Sequence, residues 1–398
     1  MNPLTRMCAL ALIVLPAAAI AQVAERTIEE LKVETQARAE KGAYPVIGIL
    51  PADVREALAM INTRDRDEWA HAFSSIAQRY LDAAAKAGTD KEKDADYVRA
   101  WRLFHFAQWP VPNSDGKQAA YKAAIGAYLR HAAFMDPKLE VVRVPFEDSE
   151  IVCYLRLPKA QPGARVPVVL AISGLDSRKE TTMENYAALL AHGVGVLTVD
   201  GPGTGQAPLK VGPHSERYLQ KLLDYLRSRP DIDPARIAVH GVSFGAYWAT
   251  KLAILERERL VAVVVQSPPV DQYFAANFIR ESSLGNREYL FDRGPAFLAV
   301  IEGAKVIDDL FTLMPPLSLK AEGLLGKPTP PMLVVGGVKD TQVPWADLVA
   351  LLSTGDAPKD AWINPVGGHV GRQGLIWPDA KIYETVIVPW LVRAVGEK

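Results

Sequence analysis

The stretch Arg236–Ile254, RIAVHGVSFGAYWATKLAI, decides the fold. A run rich in Ile, Val and Ala stops at Gly241, Ser243 and Gly245 follow, and the residues beyond carry a helical pattern. Gly-x-Ser-x-Gly between a strand and a helix is the context of a nucleophile elbow, a sharp turn that lifts a serine above the edge of a sheet. Gly241 and Gly245 leave room for strand and helix to approach each other. At the helix N-terminus the Phe244 amide can face a developing oxyanion, and the helix dipole favours negative charge there.

Outward from this turn, VPVVLAIS, GVGVLTVD, RIAVHG, VAVVVQS, PMLVVGG and AWINPV are short apolar segments, most with helical patterns between them. Strands buried on both faces and alternating with helices predict a mostly parallel sheet with right-handed crossovers. LEVVRVPF and EIVCYLRL, separated by EDS, read as a hairpin in front of it, with Ile151, Cys153, Leu155 and Leu157 on one face. Cys153 therefore reads as a buried apolar filler. Residues 22–137 form a helical N-terminal region, and 138–398 carry the sheet, interrupted by a mainly helical insertion at about 271–330 that is expected to pack over one end of it. Trp69, Phe73, Ile76, Ala77, Tyr80, Leu81 and Ala84 make one helical stripe, DYVRAWRLFHFAQWP a second helix, and the segment after Ser114, a candidate N-cap, a third.

A serine nucleophile needs a base, and the base needs an orienting group. In this architecture the chain order is Ser, acid, His. His369, in NPVGGHVG, is the one histidine after Ser243, and it follows the last strand in a glycine-rich loop. His240 sits inside the strand before the elbow and reads as a packing residue. His105, on the aromatic helix, is a candidate for the substrate pocket. Asp340, just past a strand in LVVGGVKDTQVP, is the preferred acid; Asp271, one strand earlier, is its competitor. The second oxyanion donor is expected from SGLDSRKE, with the Leu175 amide as candidate. Asp176 beside it is a further pocket residue, either a proton donor or a side chain that pins its own loop through Arg178 or Lys179. Asp200–Gly205 lacks the spacing of a phosphate loop, and no His, Cys and carboxylate cluster has metal-ligand spacing. Neither a cofactor nor a metal is expected.

The chain has 398 residues, 49% hydrophobic and 23% charged, with a net charge of -1. No basic excess is available to neutralise phosphates, which argues against nucleic acid as a partner. Arg6 precedes an apolar run to about Ile20, and Ala19-Ile20-Ala21 offers small residues for cleavage, so residues 1–21 read as a secretory signal peptide. Cys8 lies too early for a lipoprotein cleavage site. Cleavage after Ala21 would leave Cys153 unpaired and the protein periplasmic or secreted, with no stable membrane association.

RAWRLFHFAQW, KQAAYKAAIGAYLRHAAFMDP, SGLDSRKE, VDGPGTGQAP, GVSFGA, GGVKDTQVP and GGH together resemble a group of α/β-hydrolases. The group contains the fermentation/respiration-switch-type esterases, 2,6-dihydroxypseudooxynicotine hydrolase and fungal polyketide-shortening hydrolases. The resemblance implies an α/β-hydrolase fold with an N-terminal helical cap, a triad of Ser243, Asp340 and His369, a small-molecule substrate, and a homodimer. Some relatives cleave carbon–carbon bonds and carry a glutamate where Asp176 stands here, and the usual GGL is SGL. Ester hydrolysis is the leading expectation. Carbon–carbon hydrolysis of a β-diketone or aryl ketone, a peptidase of the prolyl-oligopeptidase type without its propeller, and a non-catalytic binding protein are the alternatives.

Overall fold

The computed structural model describes residues 25–396, so the expected signal peptide lies outside the described residues. Eight strands form one sheet in the order β1-β2-β4-β3-β5-β6-β7-β8. β1 (Glu140–Phe146) and β2 (Ser149–Arg156) make the antiparallel hairpin, and β2 runs antiparallel to β4 (Gly195–Val199). β3 (Val166–Ile172), β5 (Ile232–Val242), β6 (Ala262–Gln266), β7 (Met332–Gly337) and β8 (Asp360–Asn364) complete a parallel sheet with β4.

The apolar runs are continuous because alternate residues enter different cores. Val168, Leu170 and Ile172 pack with Val239 and Val265 into one layer, whereas Val169, Ala171, Ala238 and Val264 enter the other. Side chains on a strand alternate between faces, so a two-sided sheet needs apolar residues at every position. Cys153 is fully buried in the first layer, and burial pushes its thiol up to about 12, which makes it a space-filler.

Five helices precede the sheet: α1 (Ile28–Glu40), α2 (Pro51–Ala59), α3 (Arg66–Lys86), α4 (Asp90–Gln108) and α5 (Asp115–Ala132). Their apolar faces share the second layer with Met183, Tyr186 and the C-terminal helix Val388–Gly396. Asp65 caps α3 by accepting from the Asp67 and Glu68 amides at 2.9 and 2.8 Å. Ser114 stands at the N-cap position of α5, but its hydroxyl makes no capping bond. The Gly116 amide instead donates to the Asp67 carboxylate of α3 at 2.8 Å, so a neighbouring helix supplies the acceptor.

α6 (Lys179–Asn185) and α7 (Ala187–Ala191) join β3 to β4, α8 (Arg217–Ser228) joins β4 to β5, and α9 (Phe244–Leu255) follows the elbow. The helical insertion is more broken than its pattern suggests. Its first segment turns into a short π-helix over Ile279–Ser283 and ends there, and its second is interrupted at Gly303, whose φ of 77° suits glycine. Most of its buried apolar side chains, among them Phe274, Phe297, Leu310 and Met314, join the layer that contains α8 and α9. Among the described residues no helix is long and apolar enough to cross a membrane.

The approach of α9 to β3 sets a sharp stability test. A Cβ on Gly245 would lie 2.5 Å from the carbonyl oxygens of Ile172 and Ser173, and backbone cannot swing aside as a side chain can. Gly245→Ala is expected to destabilise the protein by about 1–3 kcal/mol, the range for overpacking, read as a lower urea midpoint at unchanged m. A midpoint equal to that of the parent protein would mean that the turn can shift.

Candidate active site

Ser243 stands between β5 and α9 with φ 53° and ψ -122°, a conformation that a non-glycine residue rarely adopts. Its amide donates to the Gln266 carbonyl at 2.8 Å, which ties the turn to β6. A Cβ at Gly241 would sit 2.1 Å from the Gly245 carbonyl oxygen, so the turn can close only around glycine. The Oγ of Ser243 lies 2.9 Å from Nε2 of His369.

His369 is carried by the loop after β8. The Val370 amide donates to Ser267 Oγ at 2.9 Å, Gln266 Nε2 donates to the Val370 carbonyl at 2.9 Å, and Asn364 Nδ2 donates to the Gly371 carbonyl at 3.0 Å. Val370 itself has φ 57°, so strain is stored on both sides of the Ser–His contact. Glu288, from the insertion, accepts from the His369 amide at 3.2 Å. On the far side of the ring, Nδ1 lies 2.9 and 3.1 Å from the two Asp340 oxygens. Burial works to raise the Asp340 carboxyl, but the His369 ring, its hydrogen bond and the Val343 amide outweigh it and hold the group below its ordinary value. Gln342 and Val343 donate their amides to Asp340 Oδ1 at 2.8 and 2.9 Å. Asp271 is elsewhere: it accepts from Ser318 Oγ at 2.7 Å and lies 3.5 Å from Lys320 Nζ.

Ser243 and His369 open into a cavity of about 290 Å³ that Asp176, His105, Tyr44 and Arg372 also line. His105 is 9% exposed and makes no hydrogen bond among the described residues. Burial, then the Arg178 and Arg102 charges, lower it to about 3 against a weaker pull from Asp200, so the ring is neutral. His240 is also neutral, lowered by burial to about 3 between the Tyr186 and Tyr383 rings, and stands in the core. Asp176 does not pin its loop through Arg178 or Lys179. Arg178 bonds to the carbonyls of Leu175, Ser177 and Pro110 and to Gln108, while Lys179 pairs with Asp200 and Glu180. The neighbour of Asp176 is Tyr44, whose phenol is driven well above its ordinary value first by burial and then by the Asp176 charge. Arg372 stacks 4.7 Å from the centre of the Tyr44 ring and pairs with Asp379 at 2.9 Å.

Tyr44 and Arg372 are absent from the sequence reading. Tyr44 sits in the loop between α1 and α2, a break in the helical pattern that the Tyr44-Pro45 pair signals. Arg372 lies three residues past His369, where nothing in the spacing distinguishes it. The two oxyanion candidates differ in surroundings. Phe244 is the first residue of α9, and its ring packs against Tyr247, Trp248, Tyr273 and Phe274. Leu175 follows Gly174, whose added Cβ would lie 3.5 Å from the Ser243 Cβ, so this loop runs beside Ser243. Among the described residues no group of His, Cys, Asp and Glu is placed to hold a metal ion.

A sheet with an antiparallel leading hairpin, an elbow after β5, and an acid and a histidine after β7 and β8 defines an α/β hydrolase with a helical cap. The esterase FrsA-like family matches residues 57–371, and the chain belongs to that family. It is 28% identical over 264 residues to the alpha/beta hydrolase ucsC of Acremonium sp, covering 58% of this chain and 53% of that one. It is 27% identical over 298 residues to esterase FrsA of Vibrio vulnificus, covering 72% and 69%. The chain thus spans about half the length of several of the curated relatives it matches. The crystal structure of 2,6-dihydroxy-pseudo-oxynicotine hydrolase superposes with a TM-score of 0.70 at 20% identity, over 88% of this chain and 94% of that one, which is a likeness of fold.

The contacts of the two aspartates give opposite expectations for their amides. Asp340→Asn should lower kcat by roughly 10³–10⁴, as loss of the orienting carboxylate does in other triads. Asp271→Asn, which alters a bond to Ser318, should leave kcat within about threefold of the parent. Steady-state kinetics on one aryl ester separates them, and the reverse ranking would move the acid to the earlier strand.

Proposed function

We propose that the protein is a serine hydrolase that cleaves a carboxylic ester through an acyl-enzyme on Ser243. The observation that carries the reading is the His369 ring, held between Ser243 Oγ at 2.9 Å and Asp340 Oδ2 at 2.9 Å. His369 Nε2 takes the hydroxyl proton as Oγ attacks the ester carbonyl. The Phe244 and Leu175 amides hold the oxyanion. Collapse breaks the acyl C–O bond, and His369 returns the proton to the departing alkoxide. Water then repeats the sequence on the acyl-enzyme and releases the acid. Asp340 keeps the ring oriented and stabilises its charged form. The family's esterase description supports this chemistry. His105 adds a neutral donor and acceptor to the cavity wall, suited to an uncharged substrate with a polar group away from the reacting carbonyl.

One observation favours a second reading, hydrolysis of a carbon–carbon bond next to a ketone. Asp176 lines the same cavity as Ser243, and the protonated Tyr44 phenol stands beside it. A carbanion leaving group needs a proton donor that an alkoxide does not, and this pair could supply one. We propose further that the protein acts outside the cytoplasm, on the strength of the charged start, apolar run and small-residue site in residues 1–21.

Ser243→Ala is expected to lose turnover by several powers of ten and to lose labelling by a fluorophosphonate probe, with an unchanged melting temperature; retained turnover would refute the acyl-enzyme. Asp176→Asn should keep most of its kcat/KM on simple aryl esters, while any ketone cleavage should fall at least about tenfold. Equal losses on both would assign Asp176 to holding its loop. N-terminal sequencing of the natural protein should begin at Gln22; Met1 on membrane-bound protein would argue for an uncleaved anchor.

A further inference from the structure

The segment between β3 and α6 is held from two sides. At its downstream end, the Lys179 amide donates to Asp200 Oδ1 at 2.8 Å and Lys179 Nζ lies 3.0 Å from Asp200 Oδ2, which fixes the start of α6 to the turn after β4. Upstream, the Gly174 amide donates to Ser177 Oγ at 2.8 Å, a bond within the loop itself. Besides the contact of Asp176 with Tyr44, the remaining ties of Leu175–Ser177 run through Arg178. Its Nη1 donates to the Leu175 and Ser177 carbonyls at 3.2 and 2.6 Å. Its Nη2 reaches into the helical cap and donates to Gln108 Oε1 at 3.1 Å and the Pro110 carbonyl at 2.7 Å. Gln108 is the last residue of α4.

Arg178 is fully buried, and all of its hydrogen-bond acceptors are neutral oxygens. A desolvated guanidinium is costly unless its donors are met, and breaking such an arrangement is more disruptive than never building it. The planar fork sends one nitrogen to the loop and the other to the cap, so the separation of the two is set by the guanidinium. The Leu175 carbonyl and amide flank one Cα. Holding the carbonyl therefore restrains the position of that Cα and with it the place of the amide.

We propose that Arg178 is a positioning residue that ties the oxyanion donor at Leu175 to the C-terminal end of α4, so that the oxyanion hole is complete only while the cap is docked. The proposal rests on the acyl-enzyme reading above. It gives the cap a part in the chemical step beyond walling the cavity: a displacement of the end of α4 reaches the Leu175 peptide through the Arg178 side chain.

The decisive variant is Gln108→Leu. It removes no charge, lies outside the cavity lining, and takes from Arg178 its one side-chain acceptor on the cap. Arg178→Lys is the stronger change, because a single ammonium cannot span both sets of acceptors. With phenyl acetate and the full chain, Gln108→Leu should lower kcat by about threefold to tenfold at near-constant KM. Arg178→Lys should lower kcat by about 10²-fold, the low end for loss of one oxyanion donor. Phenylboronic acid forms a tetrahedral adduct with the serine and places an oxygen where the oxyanion sits. Its Ki should rise in each variant by the factor by which kcat/KM falls, a correspondence that general loosening of the fold would not produce. Parent-like kcat and boronate affinity in Gln108→Leu, or a loss carried by KM alone, would overturn the proposal, whether or not Arg178→Lys folds. Failure of the acyl-enzyme reading would be seen separately, as an unlabelled parent protein and an active Ser243→Ala.

Discussion

The active end depends on one steric constraint: β3, β5 and α9 meet where no side chain fits. A Cβ at Gly241 would strike the Gly245 carbonyl, and a Cβ at Gly245 would strike the carbonyls of Ile172 and Ser173. This contact forces the turn at Ser243 into positive φ and sets its hydroxyl beside the loop that leaves β3. The same closeness recurs at the other end of the Ser243–His369–Asp340 chain of contacts, where a Cβ on Gly337 would lie 2.2 Å from the Gly367 carbonyl. Glycine at both places lets the loops after β7 and β8 touch, and that touch brings the Asp340 carboxylate within 2.9 Å of the His369 ring. Strain at Ser243 and Val370 is carried by the packed layers on either side of the sheet, consistent with strained backbone persisting only where its surroundings over-determine it.

The parts of this arrangement legible in the sequence were those with a local signature. Gly241-Val242-Ser243-Phe244-Gly245 announces a turn between strand and helix, and His369 stands alone after the serine, so elimination identifies it. Asp340 follows from its place after a strand. Tyr44, Arg372 and the reach of Arg178 were not legible, because each depends on which loop of the cap faces which loop of the sheet. That docking is set by large apolar side chains from many elements, such as Trp101, Trp109 and Tyr128, which leave no pairwise signal in the chain. The alternative in which Asp176 pins its loop through Arg178 or Lys179 failed for the same reason. The carboxylate looked like the partner, while Arg178 bonds to backbone carbonyls of Leu175 and Ser177 and to Gln108 and Pro110 at the end of the cap helix α4. Likewise Ser114 looked like a cap for α5, but Asp67 on another helix supplies the acceptor.

Charge at the active end is sorted by burial. Lys179, Asp200 and Glu180 form a fully buried group in which Asp200 is held below its ordinary value: burial opposes this, but the Lys179 and Arg178 charges and the Gln206 and Lys179 amides prevail. Buried ion pairs of this kind contribute little net stability and more geometry. Here the geometry is that of the loop carrying Leu175. His105 feels the same Arg178 charge, together with that of Arg102, and stays neutral, so it can offer hydrogen bonds without adding charge. The cavity wall at His105 and the placement of this loop therefore share one electrostatic environment.

The cap consequently enters the site by two routes from the same helix. Residues of α4 facing the cavity, Trp101 and His105, shape what can bind. Residues at its C-terminal end, Gln108 and then Pro110, hold Arg178 and through it the peptide beside the nucleophile. A rigid helix cannot shift at one end and stay still at the other over a span of two turns. A substrate that moves Trp101 or His105 would therefore also move the acceptors of Arg178. If the Leu175 amide holds the oxyanion, as proposed above, selectivity set by the cavity wall and stabilisation of the oxyanion are mechanically linked. On that proposal, a change in what the cap admits is felt in the chemical step as well as in binding.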